Sequence, residues 1–241
     1  MSGHSKWSTI KRKKEKTDGQ RAKIFAKMSR QILVAVKEAG ADPSTNSKLK
    51  ELILKAKSNN VPNDNIMRII KKAAGDSSKN DFETIFYEGY GPSGVAVIVE
   101  ALTNNRNRTA GDLRHYSDKN GGNLGQSGCV SFLFEDKGVI TILSEDIKDQ
   151  DKIMDECLSL DILDVEFVED DMVIYTSKES LSDIASALEN LGYKITSAEV
   201  DKVPSTQVKL TDEQAILKFE KLLDMLEDND DVQNVWHNCE A

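Results

Sequence analysis

The residues of this chain best suited to chemistry are cations gathered near its start. Lys6, Lys11, Arg12, Lys13, Lys14 and Lys16 crowd around Trp7, with His4 just ahead of it. Arg21, Lys23, Lys27 and Arg30 follow in the next segment. Lysine and arginine in such number release condensed counterions from a phosphate backbone, which gives affinity for a polyanion of any sequence. The indole serves two roles equally well: it can stack on an exposed base, or it can staple the arm onto its own fold. Farther on, Asn104, Asn105, Arg106, Asn107, Arg108 and Thr109 form a dense polar run at the start of an expected helix. The arginine fork suits phosphate and a helix N-terminus favours anions. The same run also reads as an ordinary helix cap with surface charge.

The other motifs carry less. Gly89-Tyr90-Gly91-Pro92-Ser93-Gly94 matches G-x-G-x-x-G to the letter. A dinucleotide site needs that motif to open a helix, and here the β-branched run Val95 to Val99 predicts a strand, so a tight turn is expected. His115 falls on the helix expected after the polar run, with no carboxylate or nucleophile at a suggestive spacing, and general acid–base work is given little weight. His4, His115, His237 and the cysteines Cys129, Cys157 and Cys239 show no zinc spacing. Glu169-Asp170-Asp171 reads as a solvated turn before it reads as a cation site. No metal and no cofactor are expected, and no clustered carboxylates suggest a nuclease.

Charge distribution sharpens the first signal. The 241 residues carry a formal net charge of −9. Residues 1–79 alone hold 19 Lys and Arg against 7 Asp and Glu, a net of +12, which leaves −21 for the rest. A polarised chain of this kind attracts polyanions at one end and limits nonspecific adhesion elsewhere. Three widely spaced cysteines suit a reducing cytoplasm without disulfides. No apolar run approaches the roughly 18 residues of a membrane span. The opening MSGHSKW turns basic without an apolar stretch, so no secretory signal is expected.

These residues need elements to position them. Phe25, Met28, Ile32 and Val36 recur at helical spacing over 20–39 and leave Lys23, Lys27, Arg30 and Lys37 as a cationic ridge on the opposite face. A helix over 47–58 buries Leu49, Leu52, Ile53 and Ala56 and shows Lys48, Lys50, Lys55 and Lys57. A third, over 64–74 with Gly75 as its cap, buries Ile66, Ile69, Ile70 and Ala73 and shows Arg68, Lys71 and Lys72. Residues 75–81 read as a linker. Strands are predicted at 84–88, 95–102 and 129–134, around a helix over 106–119 that Gly121-Gly122 ends. Next come a strand at 138–143, a helix at 148–158, a hairpin of 165–168 and 172–176, a helix at 180–191 and a strand at 193–198. That β-α-β-β-α-β order is ferredoxin-like. A strand at 206–210, a helix capped by Thr211 and a strand at 231–236 close the chain. A lone β-α-β cannot close a domain, but joined to 82–134 it can. The fold class is therefore α+β in three domains: a basic N-terminal helical bundle (1–79), a middle α+β domain (80–136 plus 204–241), and an acidic ferredoxin-like lobe (137–203) inserted into it. Over 138–203 the lobe holds 17 Asp and Glu against 5 Lys and Arg, so it would repel phosphate and suits a protein partner.

Several segments also look familiar. Gly3-His4-Ser5-Lys6-Trp7, the 21–25 segment, Tyr87-Glu88-Gly89-Tyr90-Gly91-Pro92, Asn105-Arg106-Asn107-Arg108-Thr109, Gly121-Gly122-Asn123-Leu124-Gly125 and Asp231-Val232-Gln233-Asn234-Val235 resemble, in order and over essentially the whole chain, the YebC/PmpR family. Ala22 stands where that pattern has a glycine, and Trp236 where it usually has a tyrosine. The resemblance implies a helical first domain and two α+β lobes with the third inserted in the second, residence in the bacterial cytosol, and nucleic-acid binding. The family is commonly labelled a DNA-binding transcriptional regulator. Members, among them mitochondrial relatives that activate translation of cytochrome oxidase, are also tied to the ribosome and to translation through difficult stretches such as consecutive prolines.

The expected function is thus a non-enzymatic, cytoplasmic, nucleic-acid-binding regulator of gene expression. Its expected contacts are His4, Lys6, Trp7, Lys11, Arg12, Lys13, Lys14, Arg21, Lys23, Lys27, Arg30, Arg106 and Arg108. Neither a membrane nor a small-molecule substrate is expected as partner. DNA and ribosomal RNA compete as the target. The breaks at 40–46 and 58–63 read as longer than a helix-turn-helix turn, and no helix carries an obvious base-reading set, which tilts the expectation toward phosphate and shape readout. A protein scaffold acting through the acidic insert is the third reading.

Overall fold

The computed structural model describes residues 18–59, 61–75, 82–147, 149–168 and 171–240 of this mixed α+β chain. The helices are α1 (Asp18–Ala39), α2 (Ser47–Ser58), α3 (Asn63–Gly75), α4 (Arg106–Lys119), α5 (Gln150–Leu158), α6 (Leu181–Asn190) and α7 (Glu213–Asp228). The strands are β1 (Glu83–Tyr90), β2 (Ala96–Thr103), β3 (Asn123–Leu124), β4 (Phe134–Ile142), β5 (Asp164–Val168), β6 (Asp171–Thr176), β7 (Ser197–Pro204), β8 (Val208–Lys209), β9 (Val232–His237) and β10 (Cys239–Glu240). The described residues pack as two compact units. One takes 18–129 and 211–235, the other 130–210 and 236–240.

In the first unit the three N-terminal helices share one core. Met28, Ile32, Ala35 and Val36 of α1 meet Leu49 and Ala56 of α2 and Ile66, Ile70 and Ala73 of α3, with Phe25, Leu52, Ile53 and Ile69 at its margin. These are the residues that the 3.6-residue period selects. Asn46 fixes the first corner. Its side-chain oxygen caps α2 by accepting from the Leu49 N–H (2.9 Å), while its amide donates to the carbonyls of Ala35 and Gly40 (both 2.8 Å). One buried side chain thus satisfies orphan groups of two helix ends. Gly75, expected as a cap, is the last residue of α3. The linker residues 76–81 lie outside the described residues.

The same unit holds a sheet of order β3-β1-β2-β9. β1 and β2 pair antiparallel in full register from Glu83↔Thr103 to Tyr90↔Ala96. The G-x-G-x-x-G segment is their turn, a 3-10 piece at Pro92–Gly94 in which Ser93 has φ 56°. α7 buries Ala215, Phe219, Leu222, Leu223 and Leu226, and α4 buries Thr109, Leu113 and Ser117. The edge strand β3 demands glycine at its crossing with β1. A Cβ on Gly122 would lie 2.4 Å from the Tyr90 carbonyl oxygen, and one on Gly89 would lie 2.3 Å from that of Asn123. Both neighbours are backbone and cannot step aside. Gly122→Ala is therefore expected to cost about 1–3 kcal/mol, lowering the melting midpoint by about 2–12 °C. Gly111→Ala, in α4 with open space at its Cβ, should leave the midpoint unchanged or raise it. Equal melting temperatures for the two variants would refute the close-approach argument.

The second unit carries a four-stranded sheet of order β5-β6-β4-β7, antiparallel throughout. Alternation along β4 and β6 divides its core in two. Ile140, Ile142, Met172 and Ile174 face Ile153 and Cys157 of α5 and Ile184 and Leu188 of α6, while Val139, Val173 and Tyr175 pack with Val168 and Val203. β8 pairs β10 in parallel.

Local expectations shift at four places. The expected strand at 129–134 is a 3-10 turn, Ser131–Leu133, and the strand begins at Phe134 and runs unbroken to Ile142. The expected strand at 193–198 begins at Ser197. Tyr193 and Ile195 alternate like strand residues, but they pack under the helices from a loop that turns at Gly192 (φ 95°). The strand expected over 206–210 is only Val208–Lys209, and Asp212 rather than Thr211 caps α7, its carboxylate accepting from the Ala215 N–H at 2.8 Å.

Candidate nucleic-acid interface

The expected cations fall into three groups. His4, Lys6, Trp7, Lys11, Arg12, Lys13 and Lys14 lie outside the described residues, as does the side chain of Arg21. The second group faces solvent. On α2, Lys50 and Lys57 are exposed, and on α3 so are Arg68, Lys71 and Lys72; none of these five has an ion pair among the described residues. Lys48 is exposed too but reaches Glu38 at 3.4 Å. Leu54 and Met67 stand exposed among them, 60% and 63% accessible, so this surface mixes charge with apolar contact area. It is formed because the buried stripe of each helix turns inward against α1.

The third group is engaged within the fold. The α1 ridge expected to face outward is engaged by the corner between α7 and β9. Lys23 pairs with Asp228 at 2.7 Å, and the Lys27 ammonium donates to the Glu227 carbonyl oxygen at 2.6 Å. Arg30 donates to the Asp230 carbonyl (2.7 Å), to Oδ1 of Asp231 (2.8 Å) and to the Leu102 carbonyl (3.3 Å), and its guanidinium lies 5.2 Å from the Phe82 ring centroid.

Asp231 is the centre of this corner; the sequence marked it only as the start of a segment that resembles the family, with nothing to indicate its partners. Its second oxygen accepts from Arg108 (2.7 Å), from the Thr109 hydroxyl (2.7 Å) and from the Thr103 hydroxyl (3.0 Å). The Thr109 and Thr103 hydroxyl oxygens also lie 2.9 Å apart. Burial pushes the Asp231 carboxyl up, but the hydrogen bonds from Arg108, Thr109 and Thr103 and the charge of Arg108 outweigh it and hold the group below its ordinary value. The partners come from α1, the end of β2 and the start of α4, so one carboxylate joins the helical bundle to the sheet.

The polar run 104–109 therefore divides. Asn105 caps α4, accepting from the Arg108 N–H at 3.1 Å; the buried Thr109 and the half-exposed Arg108 both bond Asp231. Arg106 stays exposed without an ion pair among the described residues. Beyond it, the glycine-rich stretch after α4 is tied down by Glu88, whose carboxylate accepts from the Gly128 N–H at 2.7 Å and whose carbonyl accepts from the Gly125 N–H at 2.8 Å. His115 is exposed with its ring edge-on to Tyr116. Burial raises the thiols of Cys157 and Cys239 to about 11, which leaves them poor nucleophiles at neutral pH. Among the described residues no group of His, Cys, Asp and Glu is arranged to hold a metal, and no helix is long and apolar enough to cross a membrane.

Comparison with known proteins adds the family. The family described as "TACO1/YebC protein N-terminal domain" matches residues 5–76, and "TACO1/YebC second and third domain" matches residues 82–239. A protein of Caldicellulosiruptor saccharolyticus named "probable transcriptional regulatory protein" is 53% identical over 240 residues, covering 100% of this chain and 99% of its own length. One of the same name from Acetivibrio thermocellus is 53% identical over 238 residues, covering 99% and 98%. The crystal structure of a conserved hypothetical protein from Aquifex aeolicus superposes with a TM-score of 0.83 at 43% identity, over 93% of this chain and 92% of that one. Matches this complete place the chain in the TACO1/YebC family.

Proposed function

We propose that this protein is a non-enzymatic regulator of gene expression, acting in the cytoplasm, that binds nucleic acid through its basic N-terminal region. The observation that carries the reading is the α2–α3 surface. Five exposed cations there, Lys50, Lys57, Arg68, Lys71 and Lys72, have no ion pair among the described residues, in a chain that is acidic overall. A phosphate backbone is the ligand such a surface fits. The names of the relatives, probable transcriptional regulatory proteins, agree with it. The arm residues His4, Lys6, Trp7, Lys11, Arg12, Lys13 and Lys14, together with Arg21 and Arg106, are assigned to the same contact. Lys23, Lys27, Arg30 and Arg108 belong to it only when released from the Asp231 corner.

The organisation we propose has three domains: a helical bundle over 1–79, a middle domain over 80–136 and 204–241, and an inserted lobe over 137–203. The order β5-β6-β4-β7 with α5 and α6 on one face supports a ferredoxin-like lobe. Its acidity suits a protein partner.

Duplex DNA is the leading target. α2 ends at Ser58 and α3 starts at Asn63, so only four residues join them, a connection as short as a helix-turn-helix requires. The break read at 58–63 is thus shorter than expected, while that at 40–46 keeps its length, and α3 presents Asn63 and Arg68, side chains able to read base edges. Ribosomal RNA is the second reading, favoured by the preponderance of lysine on the same surface, which contacts phosphate without reading bases. Binding of the full chain to ribosomes and to promoter duplexes, titrated with salt, separates them. Sequence-selective duplex binding supports the first. Saturable ribosome binding at physiological salt, with duplex binding weak and unselective, supports the second. Absence of both would refute the proposal.

A further inference from the structure

The corner that engages α1 has an unusual composition. A helix C-terminus carries partial negative charge, and cations are the residues that stabilise it. α7 has no basic residue in its last turn and instead ends in Glu227 and Asp228, followed by Asp230 and Asp231. Alone, that end would be self-repelling. The missing cations come from α1. Lys23, Lys27 and Arg30 are spaced as i, i+4 and i+7, one stripe of the helix, and all three contact residues 227–231. What the stripe meets is a row of carboxylate and carbonyl oxygens, two of them carboxylates, each 2.6–2.8 Å from a cationic nitrogen. A phosphodiester chain would present the same array of anionic and polar acceptors.

We propose that the 227–231 turn is an intramolecular phosphate mimic: it occupies Lys23, Lys27 and Arg30 and thereby lowers the affinity of the protein for nucleic acid. The inference rests on the nucleic-acid reading above and adds a regulatory contact to it. The members of the contact differ in strength. Asp231 is buried and held by four partners, so it anchors the corner. The Lys23–Asp228 pair is exposed, 42% and 62% on the two side chains; exposed pairs are weak and screened by salt. The outer end therefore exchanges first, giving an incoming phosphate Lys23 and then Lys27, while the Arg30–Asp231 contact holds the fold together.

The test compares full-length variants for binding to a labelled DNA duplex and to a labelled single-stranded RNA, between about 50 and 200 mM salt. Asp228→Asn removes the outer acceptor charge. Glu220→Gln, an exposed residue of α7 outside the turn, removes the same charge elsewhere. Lys23→Gln and the double variant complete a cycle. The expected result is binding tightened about 3- to 5-fold by Asp228→Asn, the value of one recovered phosphate contact at physiological salt, and changed less than about 1.5-fold by Glu220→Gln. In the Lys23→Gln background, Asp228→Asn should have no effect. Equal responses to the two acid neutralisations, or an Asp228→Asn effect that persists without Lys23, would overturn the mimic while leaving the nucleic-acid reading intact. Absence of salt-dependent binding in every protein, wild type included, would overturn both.

Discussion

Asp231→Ala is expected to melt about 6–20 °C below the wild type. The substitution removes the carboxylate that Arg108, Thr109 and Thr103 share, and with it the anchor of Arg30. Breaking one partner out of a buried charged network costs about 3–5 kcal/mol; here Arg30 and Arg108 lose their counter-ion, and the buried Thr103 and Thr109 hydroxyls lose a charged acceptor. For a chain of this size each kcal/mol shifts the midpoint by about 2–4 °C. The loss should be local. Asp231 lies in the unit of 18–129 and 211–235, so calorimetry should show that unit's transition moving down while the transition of the 130–210 unit stays in place. A uniform shift of both, or none, would show that the carboxylate is not the joint described here.

The same group predicts a pH dependence of definite sign. The folded carboxyl titrates below its ordinary value, whereas in the unfolded chain it titrates near pH 3.9. The stability it contributes is therefore fully present above about pH 5 and is lost as pH falls through the folded value. Asp231→Asn cannot titrate. The stability gap between wild type and Asp231→Asn should stay constant from about pH 7 to pH 5 and narrow below about pH 4, as read by denaturant melts at each pH.

How much of this was legible in the sequence depends on the range of each interaction. The three N-terminal helices could be read because their cores obey a local period; Met28, Ile32, Leu49, Ile66 and Ile70 are buried where the pattern puts them. The turn reading of Gly89 to Gly94 followed from the strand after it. Strand register was legible only in part. Tyr193 and Ile195 alternate as a strand does, but the core they fill is supplied by α5 and α6, and nothing local distinguishes a covered loop from a strand. The Asp231 corner was not legible at all. Thr103 and Asp231 are 128 residues apart and Arg30 and Asp231 are 201, so the lysines and arginine of α1 read as a solvent-facing ridge. Hydrophobic periodicity says which face of a helix is polar. It does not say whether that polar face meets water or an acidic turn from elsewhere in the chain.

That distinction decides where charge reversal will matter most. Arg68, Lys71 and Lys72 share one exposed face of α3 and have no ion pair among the described residues, so Arg68→Glu/Lys71→Glu/Lys72→Glu should leave the melting midpoint nearly unchanged. Nucleic-acid binding should respond very differently. Each phosphate contact contributes about 0.9 to the slope of log affinity against log salt. Losing three lowers the slope by about 3 and the affinity near physiological salt on the order of 100-fold. Lys209→Glu/Lys218→Glu/Lys221→Glu makes the same change in net charge at exposed positions outside α2 and α3. If binding follows net charge alone, the two triple variants will weaken equally, and the α2–α3 surface will have no special claim. If it follows a face, the α3 variant will lose both affinity and slope while the control keeps its slope. A face-specific loss on duplex DNA would further bear on the target: selectivity among sequences should fall only if Arg68 touches base edges, and remain if all three residues touch phosphate.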